Sequence, residues 1–228
     1  MKKIIWLTVC IILANICYAQ YDLNKLPKIT VNQYSEKLMH YFENKNDNII
    51  FETISIYMDK TNAYILDTLD SQLIFFFCGI SIDNVNRFNK FSDIVKESKN
   101  NRLIEVFDII KNINILDHLE KQEPSPDLND AYWILFFSTG DNIYLDKIFY
   151  IIKNNISETN NIQYYLAVRS GMWSIASNIR NYIQIRKHFQ MTDILNNDIK
   201  EYINNTNPEI ILSDTQKFIR LKRENGEW

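Results

Sequence analysis

Arg169, Trp173, Arg180, Gln184 and Lys187 follow one another at intervals of four, seven, four and three residues. On one α-helix that spacing puts all five on a single face. Such a row has the chemistry of binding. Guanidinium groups can stack on the indole of Trp173, or the row can receive an acidic partner. The same pattern also describes an ordinary solvated face. If any part of this chain binds, the residue types select this row.

Bond-making chemistry finds little support. His40, His118 and His188 lie far apart and share no metal-ligand spacing with cysteines or with one another, so no metal site is expected. Asp117, His118 and Glu120 read as a surface ion-pair cluster. No glycine-rich phosphate loop, nucleophile elbow or His-Glu-x-x-His occurs. No catalytic residue and no cofactor is assigned. Hydrolysis by two converging carboxylates needs no motif, and it stays open as an alternative. Cys78 sits in the apolar run 73–79 and reads as a small buried hydrophobe.

The elements that must carry these residues are helical. Four glycines and four prolines in 228 residues are too few for the tight turns of an all-β fold. Leu103, Val106, Phe107, Ile110 and Ile113 make one apolar helical stripe, and Leu145, Ile148, Phe149, Ile152 and Ile156 make another. The predicted helices are 31–44, 48–59, 63–79, 83–97, 101–113, 127–139, 142–154, 160–188, 192–204 and 208–222. The short apolar runs 49–58 and 73–78 could be buried strands, but their neighbours favour helices. The expected fold is therefore all-α, an irregular array of antiparallel helical hairpins. It resembles an α-solenoid without a regular repeat, since no fixed period emerges.

Two segments stand out within this array. In 133–141, Gly140 can close a helix in the left-handed conformation and Asp141 can cap the next. Trp133, Phe136 and Phe137 would fill the space between the two arms of that hairpin. In 169–178, Ser170, Ser174 and Ser177 share a face beside Gly171, where a neighbouring helix can approach closely. Together, Trp-x-x-Phe-Phe-x-Thr-Gly-Asp (133–141) and Trp-Ser-x-x-Ser-Asn (173–178) resemble segments of uncharacterised exported helical proteins of Gram-negative bacteria. Those proteins carry alanine where this chain has Ser138 and leucine where it has Ile175. The resemblance marks Trp133, Phe137, Gly140, Asp141, Ser174 and Asn178 as a shared structural motif. It implies an all-helical exported protein and brings no activity with it.

The amino terminus completes the expectation. Lys2 and Lys3, an apolar run over 4–14 and the small-residue exit Cys17-Tyr18-Ala19 match a cleavable signal peptide spanning 1–19. Asn15 interrupts the run short of the roughly 20 apolar residues a membrane span needs, and no other stretch reads as long and apolar enough to cross a bilayer. Residues 20–30 follow as an irregular arm, then 31–228 as a single helical domain. The stretch 121–127 divides it into possible halves, 31–121 and 127–228. Formal charge is −3 and becomes more negative once Lys2 and Lys3 leave, which argues against general nucleic-acid binding. The expected protein is periplasmic or secreted, and non-enzymatic. It would bind an unidentified protein partner of the envelope or extracellular space through a groove between helices. A periplasmic inhibitor or immunity protein is one alternative; a hydrolase of envelope polymers using paired carboxylates is the other.

Overall fold

Asparagine starts the helices of this chain. In the computed structural model, which describes residues 26–227, six helices open on an asparagine whose side-chain oxygen accepts a backbone N–H of the first turn. Each such cap satisfies a donor the helix cannot satisfy itself and contributes about 1 kcal/mol. The abundance of asparagine, which carries no functional message in the sequence, has a structural use here.

The helices are α1 (Val31–Met39), α2 (Ile49–Met58), α3 (Leu66–Asp83), α4 (Val85–Glu97), α5 (Asn101–Asn112) and α6 (Ile115–Glu120). After the linker come α7 (Pro126–Thr139), α8 (Ile143–Asn155), α9 (Ile162–Asn181), α10 (Ile183–Met191), α11 (Asn197–Asn205) and α12 (Pro208–Glu224). Short 3-10 turns occupy Tyr41–Glu43 and Lys60–Ile65. No strand occurs among the described residues, and the helices pack both on their chain neighbours and across the chain: the fold is all-α, an irregular array. The signal peptide assigned to 1–19 and most of the arm at 20–30 lie outside the described residues. Within the described part of the arm, Leu26 and Ile29 pack against the core.

Both apolar runs of ambiguous period are helical: 49–58 forms α2 and 73–78 lies inside α3. Two further details depart from the sequence reading. Residues 115–120 form a short helix, α6, outside the ten predicted ranges, and it carries Asp117, His118 and Glu120. The predicted helix 160–188 is two helices, broken at Tyr182 by an extended backbone (φ −120°, ψ 116°). The break draws the Tyr182 ring into an aromatic cluster with His40, Phe42 and Phe137, at centroid separations of 5.1, 5.7 and 5.9 Å.

The most extensive helix contact joins α3 to α7, across the linker that separates the two halves. A close crossing makes it possible. A Cβ on Gly79 would lie 1.8 Å from Ser138 Oγ and 2.9 Å from Ser138 Cβ, so glycine on α3 and a small residue on α7 let the backbones meet. From this pair the core spreads outward, with α4 and α5 against α3 and with α8 and α9 against α7; α10, α11 and α12 build on α9. On the first half, Arg102 donates to Asp70 (2.9 Å) and Asp67, while the Tyr57 hydroxyl donates to Asp70, tying α2, α3 and α5 together.

By length and composition the helical stretch Lys60–Asp83 meets the usual threshold for a membrane span, with mean hydropathy 1.5. The sequence reading missed it because it took 73–78 as the apolar run. Here α3 is the central core helix, with Leu69, Leu73, Phe76, Phe77 and Ile80 buried.

Candidate functional site

Four helices surround a cleft of about 410 Å³. Its floor follows from the spacing on α7. Asp130, Trp133, Ile134 and Phe137 recur at three, one and three residues, so they share the helix face that looks into the cleft. Gln72 and Phe76 of α3, four residues apart, form one side. Ser35, Leu38 and Met39 of α1 form another, and Trp173, Ser174, Ser177 and Asn178 of α9 close the third.

Hydrogen bonds hold this arrangement in place. Asn129 and Trp133 stand one turn apart on α7, and Ser170 and Ser174 stand one turn apart on α9. Asn129 Nδ2 donates to Ser170 Oγ (2.9 Å) and to the Ala167 carbonyl (2.7 Å), while Trp133 Nε1 donates to Ser174 Oγ (2.9 Å). Ser174 passes its own proton to the Gly171 carbonyl (2.9 Å), and Asn178 Nδ2 donates to the Ser174 carbonyl (3.0 Å). Gly171 admits α8 closely, since a Cβ there would meet Ile152 at 3.2 Å, while Asn129 of α7 would lie at 3.4 Å. The serine face of α9 is thus a docking strip for α7, and the two segments singled out in the sequence meet along it. Phe137 stacks on Trp133 at 5.6 Å behind the cleft wall.

The α7–α8 corner closes the same end of α7. Gly140 adopts φ 76°, ψ 10°, and its N–H returns to the Phe136 carbonyl at 2.7 Å. Asp141 Oδ1 accepts from the Ile143 N–H (3.0 Å), and Thr139 Oγ1 accepts from the Asp141 N–H (3.1 Å). These residues fix the corner and leave the cleft to the side chains one turn earlier.

The row Arg169, Trp173, Arg180, Gln184 and Lys187 is not one surface. The break at Tyr182 puts Gln184 and Lys187 on α10, away from the three that remain on α9. Arg169 turns inward, donating to Thr215 Oγ1 (3.0 Å), the Tyr202 hydroxyl (3.2 Å) and the Ile211 carbonyl (3.2 Å), and so clamps α11 and α12 to α9. Arg180 donates to its own helix at Ala176 and to the Thr206 carbonyl (3.0 Å) beyond the end of α11. Gln184 Nε2 donates to the Gly140 carbonyl (3.1 Å). Lys187 is exposed. Of the five, Trp173 alone lines the cleft.

Sequence reasoning passed over Asp130, the one charged residue lining the cleft among the described residues. Its signal was an acid set into the stripe that Trp133, Ile134 and Phe137 define. Its carboxyl is raised above the ordinary aspartate range, first by desolvation and then by the negative charge of Asp127. It is exposed to solvent and makes no hydrogen bond or ion pair among the described residues. The indole of Trp173, 40% exposed, likewise has no aromatic or cationic neighbour there.

Other clusters are spent internally. A second hollow of about 400 Å³ brings Glu36, Lys37, His40 and Glu52 together, but Glu52 is buried and bonded to Lys37. A wider surface depression of about 690 Å³ is lined by Glu158, Asn160, Asn161, Ile162 and Arg223 and has no aromatic floor. His188 Nε2 meets Asp146 Oδ1 at 2.6 Å and stacks on Phe149. Cys78 is a free buried thiol, pushed up to about 12 by burial. No group of three or more His, Cys, Asp or Glu able to hold a metal occurs among the described residues. Comparisons of the chain with protein-family models, with curated proteins and with solved structures find no significant match.

Proposed function

We propose that this chain is an exported, non-enzymatic binding protein that seats part of another protein in the cleft between α1, α3, α7 and α9. The observation that carries the reading is the aromatic-floored cleft itself, where Trp133 and Phe137 of one distinctive segment face Trp173, Ser174 and Asn178 of the other. Its volume falls in the range of real ligand pockets, and its aromatic and aliphatic residues alternate with polar groups such as Gln72, Asp130 and Asn178. The hydrogen bonds from Asn129 and Trp133 to α9 preform it, which lowers the ordering cost of association. At the rim, Met39 and Trp173 are 42% and 40% exposed, and methionine and tryptophan are residue types enriched at protein interfaces. The leader at 1–19 supports export.

A pull-down from the exported fraction tests this. The wild-type protein should recover a stoichiometric partner that Trp173→Ala and Met39→Asp both lose. A control substitution at the exposed Tyr64 should keep it. Recovery of no stoichiometric partner, or retention by both cleft variants, overturns the reading.

A further inference from the structure

We infer that the cleft takes a cationic side chain, an arginine or lysine beside an apolar residue, from a segment of the partner protein. This deepens the binding reading above and rests on it. The lining presents one formal charge, Asp130, on a wall that is otherwise aromatic, aliphatic or neutral. That carboxylate has no counter-ion among the described residues. None of the residues contributed by α1, α3 or α9 is charged, and Asp127 one turn away adds more negative potential. Asp130 is exposed in the free protein, and a segment seated in the cleft would take its carboxylate out of water, a cost that a cation on that segment offsets. The second attraction is the free face of Trp173, since an indole is the strongest cation–π acceptor among side chains. The apolar stem of an arginine or lysine can lie along Trp133, Ile134 and Phe137, which share the α7 face with Asp130, while its head reaches that carboxylate. An anionic or purely apolar segment would leave Asp130 buried without compensation. Charge complementarity therefore selects the cation.

The test is a titration of the purified protein, followed by tryptophan fluorescence, with acetyl-Phe-Arg-amide and with its citrulline counterpart, which keeps the shape and loses the charge. The arginine peptide should bind about tenfold more tightly than the citrulline peptide, a difference of about 1.4 kcal/mol. Asp130→Asn should abolish that preference, and Asp130→Lys should reverse it. Circular dichroism of each variant confirms that it is folded. If the two peptides bind equally to the wild type, the cationic assignment fails and the cleft reading stands. If neither peptide perturbs the tryptophans up to millimolar concentration, the cleft reading fails as well.

Discussion

Replacing Gly79 by alanine should damage the fold at its centre. Alanine is normally the better helix residue, by about 1 kcal/mol, so propensity alone predicts a gain. The crossing of α3 and α7 predicts the opposite. The added methyl would fall 1.8 Å from Ser138 Oγ, 2.9 Å from Ser138 Cβ and 3.4 Å from a Leu135 methyl. Rotating the hydroxyl away does not suffice, because the Cβ contact remains too short and Ser138 is fully buried. Rotation would also break the hydroxyl's bond to the Leu135 carbonyl, now 2.9 Å, at about 1 kcal/mol. Forcing two packed helices apart costs a further 1–3 kcal/mol or so. After the propensity gain, the net loss is about 2 kcal/mol, or roughly 4–8 °C in Tm for a chain of this size. Urea unfolding followed by circular dichroism measures it. Ser138→Gly in the same chain should restore most of the loss, because it removes both clashing atoms. A Gly79→Ala protein as stable as wild type, or one not rescued by Ser138→Gly, would refute the close crossing.

Further outcomes follow from the site. Ser174→Ala leaves the Trp133 indole N–H buried without an acceptor and should cost about 1–3 kcal/mol. In a double-mutant cycle with Trp133→Phe, measured by urea unfolding, the two losses should be less than additive; full additivity contradicts the bond. For Asp130 the sign runs against stability: a carboxyl raised in the folded state makes the neutral-pH fold slightly less stable, and protonation relieves this as pH falls. Asp130→Asn should therefore leave Tm at pH 7 unchanged or higher, and a clear drop in Tm would show that the carboxylate has a structural partner. In binding, the charged form is required. Affinity for the arginine peptide should fall on acidification with a midpoint above the ordinary aspartate value near ~4, and a pH-independent preference would contradict this. Cys78, buried and with its thiol pushed up to about 12, should react with a disulfide reagent at pH 8 only as fast as the protein opens. Rapid labelling of the native protein would contradict its burial.

Much of the fold is legible in the chain because burial on a helix repeats every three to four residues. The stripes at 103–110 and 145–152 are core in the structure for that reason. The corner at Gly140 is readable too, since positive φ favours glycine and the following aspartate has a local acceptor role. The break at Tyr182 is not readable. No glycine or proline marks it, and its cause is tertiary, the pull of a ring toward His40, Phe42 and Phe137. That unseen break dissolved the five-residue row, whose spacing assumed one straight helix. The inward roles of Arg169 and Arg180 were hidden for a related reason. Their acceptors, on α12 and beyond the end of α11, come close only when the chain is folded. Asp130 was readable in principle, as an acid in an apolar stripe, but only the fold shows that no cation meets it.

A partner protein seated in the cleft between α1, α3, α7 and α9 should be trapped by a photo-crosslinker on the rim. The protein is given a benzophenone side chain either at Met39, on the rim, or at Tyr150, exposed on α8. The cleft position should give one dominant crosslinked protein that the Tyr150 position does not. Equal labelling from both positions, or none from Met39, would contradict the account.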